Sequence, residues 1–146
     1  MKEMTILVGL PRAGKSTWIE ENKTDKDVVV SADALRYLVY NHKFWTEGEP
    51  LMWSVRGILL NMLMQQGKDL IIDETNTTVS RRKPLIDLAM KYGYYVTVVR
   101  LETTEDTCLE RAYAENNPNL AEVIKRQAKR IEEPSLDEGI DIIIFR

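Results

Sequence analysis

The run Gly9-Leu10-Pro11-Arg12-Ala13-Gly14-Lys15-Ser16 satisfies G-x-x-x-x-G-K-[ST], the pattern of a phosphate-binding loop. Glycines at 9 and 14 let the backbone turn tightly and approach a phosphate oxygen without a Cβ in the way. Amide groups at the following helix start, with the positive end of the helix dipole, favour an anion there. Gly9, Arg12, Ala13, Gly14, Lys15, Ser16 and Thr17 are therefore expected to wrap the phosphates. Lys15 would reach the β- and γ-phosphates, and the Ser16 hydroxyl would ligate Mg²⁺. The context is right, with an apolar TILV run before the loop and TWIE after it. The loop implies binding of a nucleoside triphosphate. No N-K-x-D motif selects guanine, so ATP with Mg²⁺ is the default.

Acids follow two other apolar runs. After residues 28–30 comes Ser31-Ala32-Asp33-Ala34-Leu35-Arg36. Asp33 and Arg36 are three apart and would share a face of a helix beginning there. The carboxylate could take a proton from an attacking hydroxyl while Arg36 clamps an anion on the acceptor. In the alternative reading, Ser31 caps the helix, Asp33 complements its dipole and Arg36 is a solvated charge. After residues 70–72 comes Asp73-Glu74-Thr75-Asn76. Asp73 is placed to hold Mg²⁺ through water, and strand alternation would turn Glu74 the other way, toward the acceptor. These four residues also suit an ordinary turn.

Such groups need a frame that collects strand ends. Apolar runs at residues 5–8, 28–30, 70–72, 95–101 and 142–145 are continuous rather than alternating, which indicates strands buried on both faces. Helical periods lie between them. Leu51, Val55, Ile58, Leu59, Met62, Leu63 and Gln66 trace one face before Gly67. Leu85, Leu88, Ala89 and Tyr92 trace another before Gly93, with Pro84 inside. Thr103 and Asp106 suggest a capping box before Cys108, Leu109 and Ala112. Leu120, Val123, Ile124, Gln127 and Ile131 form a last helix ending near Pro134. Residues 41–50 show no period. The expected fold is α/β: a parallel sheet of about five strands in a P-loop arrangement, covered by helices on both faces. Ligands bind such sheets beyond the carboxyl ends of the strands.

With 146 residues, 20 Lys+Arg against 23 Asp+Glu, and 44% hydrophobic residues, the chain reads as one domain over residues 1–146. One Cys, Cys108, and one His, His42, exclude an internal disulfide and a Cys/His zinc site. No apolar run approaches the ~20 residues of a membrane span, so a cytoplasmic protein is expected. The net charge of −3 argues against a surface coated in nucleic acid, while local basic grooves remain open. Lys125, Arg126, Lys129 and Arg130 recur along one helix, partly offset by Glu122, Glu132 and Glu133. Arg81-Arg82-Lys83 forms a second basic patch near the expected site.

GLPRAGKSTW, SADALR and IIDETN followed by RR together resemble the kinase domain of bacteriophage-type 5′-polynucleotide kinases. The Arg111 helix and the closing EEPSLDEGIDIIIF extend the likeness toward the wider set of small P-loop kinases. The resemblance implies that Asp33 is the general base for a 5′-hydroxyl of DNA or RNA. It implies that Arg36 grips the acceptor's phosphate, Glu74 lines the acceptor side with Thr75 and Asn76, and Arg111 is a catalytic lid arginine beside the donor phosphates. Two departures stand out. A second lid arginine expected four residues after the first is Glu115, and no D-x-D-G-T phosphatase motif is present. A small hydroxylated acceptor, or a nucleotide-dependent module with no acceptor, are the alternatives.

Overall fold

The computed structural model describes residues 1–41 and 44–146. Strands β1 (Glu3–Val8), β2 (Asp27–Ser31), β3 (Asp69–Asp73), β4 (Tyr95–Arg100) and β5 (Ile142–Phe145) form one sheet in the order β2-β3-β1-β4-β5. All four pairings are parallel, as the continuous apolar runs require. After β3 the chain crosses behind β1 to reach β4. The carboxyl ends of β2, β3 and β1 therefore lie side by side at the point where the connections reverse direction.

The helices are α1 (Lys15–Asn22), α2 (Ala32–Tyr40), α3 (Glu49–Gln65), α4 (Val79–Tyr92), α5 (Glu105–Ala114) and α6 (Pro118–Ala128). Strand alternation divides their packing. Met4, Ile6 and Val8 point into a core with Leu35 of α2, Met52 and Leu60 of α3, and Leu85 of α4. Leu7 points the other way, into a core with Ile19 of α1, Cys108 of α5 and Ile124 of α6. Three helices thus cover each face of the sheet, burying β1 from Met4 to Val8. Each fully buried Leu or Ile contributes roughly 1.5–3 kcal/mol relative to exposure.

Local chemistry sets the helix starts. Ser31, Thr78, Thr104 and Asn117 each accept from a backbone amide three residues on, which satisfies a free donor of the first turn. The cap of α5 is thus Thr104 rather than Thr103, whose hydroxyl instead donates to the Ala13 carbonyl at 2.7 Å. Helix α6 stops at Ala128, short of Ile131. The face of α3 is also rotated from the expected one: Met52, Leu60 and Met64 are buried, whereas Leu51, Ile58 and Met62 are exposed. The sheet's twist and the neighbours α2 and α4 decide which part of a broadly apolar helix turns inward. Pro84 lies in the second turn of α4 and supplies no N–H to the Ser80 carbonyl.

Residues 45–49, within the stretch that shows no period, pack around Gly48. A Cβ there would lie 2.6 Å from ring atoms of both Tyr40 and Trp45. The Tyr40 and Trp45 rings meet edge to face at 5.6 Å. Only glycine lets α3 start so close to α2, and that closeness places Glu49 opposite Arg36.

Candidate active site

The phosphate loop connects β1 to α1. Arg12 (φ 67°) and Gly14 (φ 102°) adopt left-handed backbone on either side of Ala13, an alternation that turns successive amides toward one concavity. The Ala13 amide is taken by the Leu10 carbonyl and the Trp18 amide by Gly14, each at 3.0 Å. Among the described residues, no backbone carbonyl accepts from the amides of Gly14, Lys15, Ser16 or Thr17. They are the free donors of a helix start, open to an anion. A Cβ on Gly14 would meet nothing within 4 Å, so that glycine faces open space.

Lys15 folds back over the loop and donates to the carbonyl oxygens of Leu10 (2.7 Å) and Gly9 (3.0 Å). Burial lowers its pKa from the usual 10.5 to about 8, while the charges of Asp73 and Asp33 act to retain the proton. Among the described residues, the hydrogen bonds of this ammonium go to backbone carbonyls.

Asp73 ends β3, in register with Ser31 of β2. Burial pushes its carboxyl above the ordinary range, Lys15 opposes that, and Asp33 adds to it. Asp33, in the first turn of α2, is exposed over 79% of its side chain and accepts from Arg36 Nη1 at 2.8 Å. Asp33 and Asp73 thus both act on Lys15, and Lys15 and Asp33 on Asp73, from three separate chain segments. Magnesium suits these donors. The Ser16 hydroxyl is exposed at the start of α1, and Asp73 is a half-buried carboxylate beside the Lys15 charge. Mg²⁺ on a nucleotide takes one or two protein oxygens, with phosphates and waters filling the rest. A closed cluster of three or more acidic, His or Cys groups is not needed, and none occurs among the described residues.

On the β2 side, Arg36 donates twice to Glu49, at 2.9 and 2.8 Å, and Tyr40 Oη adds a third bond at 2.6 Å. Glu74 accepts from two nitrogens of Arg56. Burial raises the Glu74 carboxyl even so, with Arg56 opposing. Glu74 and Asp73 thus face different partners, as strand alternation implies. The Trp53 indole carries Arg56 at 4.9 Å, Arg81 at 5.5 Å and Arg36 at 5.9 Å from its ring centre. Trp53, Arg56, Glu74, Ser80, Arg81 and Pro84 line a pocket of about 180 Å³. Sequence motifs do not reach Glu49, Trp53 or Arg56. Their i, i+4, i+7 spacing, a polar and aromatic stripe along an otherwise apolar helix, was the available signal.

On the opposite side of the loop, Arg111 Nη1 of α5 donates to the Arg12 carbonyl at 2.7 Å. Arg12 itself pairs with Glu115 at 2.7 Å. The residue standing where a second lid cation was expected therefore ties the loop's arginine to α5.

Several expected contributors lie elsewhere. Asn76 is 2% exposed, has φ 46°, and donates to the Leu7 carbonyl at 3.0 Å. It is closed off from an acceptor and instead fastens the β3 loop to β1, as the Thr75 carbonyl does by accepting from Gly9. The Arg81-Arg82-Lys83 patch is broken up by the helix. Arg82 is fully buried and binds Glu138 and the carbonyls of Asn76 and Glu132. Lys83 pairs with Asp87, which leaves only Arg81 at the pocket. Lys125, Arg126, Lys129 and Arg130 flank a shallow depression on α6, across the sheet from α2 and α3. Cys108 is buried and unpaired, and His42 falls outside the described residues. No helix among the described residues is long and apolar enough to cross a membrane.

A phosphate loop joined to a parallel sheet of order 2-3-1-4-5, with an acid ending the strand beside it, defines a P-loop kinase-like protein. The chain belongs to the AAA domain family, matched over residues 4–134. It is 25% identical over 144 residues to a bifunctional polynucleotide phosphatase/kinase of Schizosaccharomyces pombe. That alignment takes in 94% of this chain and 32% of the relative, so the chain spans about a third of that protein's length. Among solved structures, a chain of the Pnkp1/Rnl/Hen1 RNA repair complex shares the fold with a TM-score of 0.69 at 16% identity, over 90% of this chain and 46% of that one. The Mycobacterium tuberculosis APS kinase CysC, solved with AMPPNP and APS, shares it with a TM-score of 0.61 at 16% identity, over 99% and 88%.

Proposed function

We propose that this chain transfers the γ-phosphoryl group of ATP to the 5′-hydroxyl of a DNA or RNA end. The observation that supports this reading is the placement of Lys15, Asp33 and Asp73 at or beyond the carboxyl ends of the neighbouring strands β1, β2 and β3. The free loop amides would hold the β- and γ-phosphates, with Lys15 exchanging the Leu10 and Gly9 carbonyls for phosphate oxygens. Magnesium, when bound with the nucleotide, neutralises phosphate charge; Ser16 and a water on Asp73 would hold it. Asp33 would take the proton of the 5′-hydroxyl as that oxygen bonds to the γ-phosphorus and the bond to the β–γ bridging oxygen breaks, releasing ADP. Arg36 would hold Asp33 in place and meet the acceptor's phosphate, and Glu74 would line the acceptor side. Arg111 would approach the donor phosphates from α5.

The resemblance of GLPRAGKSTW, SADALR and IIDETN to polynucleotide kinases supports the choice of acceptor, as does the similarity to the Schizosaccharomyces pombe protein. The second reading, a small hydroxylated acceptor, is favoured by one observation. Arg36 and Arg56 are already neutralised by Glu49 and Glu74, leaving little free positive charge on that side. A labelled-ATP transfer assay over 5′-hydroxyl oligonucleotides, nucleosides and a no-acceptor control separates the readings. Transfer to oligonucleotides, with acceptor binding that weakens steeply as salt is added, supports the first. Transfer confined to small acceptors and insensitive to salt supports the second, and ATP turnover with no labelled acceptor overturns both.

A further inference from the structure

The pocket between α3 and α4 is not used by the phosphoryl-transfer groups, yet it opens beside them. Its wall includes Glu74, the neighbour of Asp73, and its Trp53 indole is shared with Arg36, which holds Asp33. An acceptor whose hydroxyl lies at Asp33 would have its next group at this opening.

The lining chemistry selects what enters. Arg56 is occupied by two bonds to Glu74, and Arg36 by two bonds to Glu49. Arg81 is the one guanidinium around the indole that makes no close ion pair among the described residues, although its charge reaches Glu49 and Glu74. A phosphate entering here would meet a single free cation and the Glu74 carboxyl, a poor balance for a doubly charged anion. A flat, uncharged heteroaromatic ring meets an indole face and an exposed guanidinium able to stack on its outer side. Aromatic and guanidinium faces are the surfaces on which bases of single strands stack.

We propose that the Trp53–Arg81 pocket receives the nucleobase of the acceptor's terminal nucleotide, stacked on the Trp53 indole with Arg81 withdrawn to cover it. This inference rests on the polynucleotide reading and adds a requirement to it: the first base matters even though the reaction takes place at its sugar.

The test uses the unaltered protein with two 5′-hydroxyl oligonucleotides that differ only in an abasic first residue. The abasic acceptor should show a KM about tenfold or more higher, at little cost in kcat, because stacking anchors the acceptor rather than driving the chemistry. Trp53→Leu should raise the KM of the intact acceptor similarly and erase the difference between the two, with Trp53→Phe recovering most of it. Equal KM values for both acceptors in the unaltered protein would overturn the inference while leaving the polynucleotide reading standing. Failure to phosphorylate either oligonucleotide would overturn that reading instead. The pocket is then read directly by titrating indole fluorescence with free nucleosides. A quench that disappears in Trp53→Phe supports a base site. No quench, or a quench by inorganic phosphate alone, contradicts one. Trp18 and Trp45 do not line the pocket and serve as the internal background.

Discussion

The Lys15 ammonium donates to the Leu10 carbonyl oxygen at 2.7 Å, so in the free protein the loop's main cation is bonded to the loop itself. Its pKa of about 8, depressed by burial, makes nucleotide binding dependent on pH. Phosphates favour the charged form and raise the pKa in the complex. ATP affinity is then highest below pH 8 and falls as pH rises through it, by up to about tenfold per unit. Stability runs the other way. The folded state releases this proton before the unfolded chain does, so burying Lys15 charged is a penalty below pH 8 that fades between 8 and 10.5. Equilibrium titration with ATP from pH 7 to 10 checks the first point. Lys15→Met should bind weakly and with a flat profile across that range.

Glu115 holds Arg12 at 2.7 Å, with both side chains substantially exposed. Such a pair contributes at most about 1 kcal/mol to stability. Glu115→Arg should leave the thermal midpoint nearly unchanged while freeing Arg12 and adding a cation to α5. The KM for ATP should fall severalfold in steady-state kinetics. An unchanged KM would mean that neither arginine meets the donor.

Arg82 and Glu138 form a buried pair, the arginine fully enclosed. Arg82→Ala leaves a carboxylate and two backbone carbonyls without their donor and should cost about 3–5 kcal/mol in urea unfolding. Lys83→Ala, one residue on and exposed, should change stability by less than about 0.5 kcal/mol. Equal effects at the two positions would contradict the packing described.

Much of this architecture is legible in the chain. The five strands appear as continuous apolar runs because a parallel sheet covered on both sides has no polar face. The phosphate loop is readable because its chemistry fixes residue types at fixed spacing. Asp33, Arg36, Asp73 and Glu74 stand out because they follow apolar runs, and the structure places them at or just beyond the carboxyl ends of β2 and β3. Three features were out of reach for physical reasons. Arg82 looks like its neighbours until the fold supplies Glu138 from 56 residues away. Asn76 looks like a ligand until Leu7 is seen to accept its amide. Residues 44–50 show no period because rings pack around Gly48 there rather than along a repeating face.

Gly48→Ala tests that last point. The added methyl group would sit 2.6 Å from Tyr40 and Trp45 ring atoms and push α2 away from α3. A loss of about 1–3 kcal/mol is expected. The KM for the acceptor should rise with ATP binding intact, since Glu49 is drawn away from Arg36 while the phosphate loop is untouched. A matching loss of ATP affinity would mean that the two halves of the site are not separable in this way.

The most direct measurement of the central claim is single-turnover phosphoryl transfer to a 5′-hydroxyl oligonucleotide by Asp33→Asn, alongside its ATP dissociation constant. The substitution keeps the shape and the exposed position of the side chain but removes its capacity to accept a proton. The account predicts a transfer rate lower by about 10²–10⁴-fold with ATP affinity within a few-fold of the unaltered protein. Transfer at an undiminished rate would contradict it.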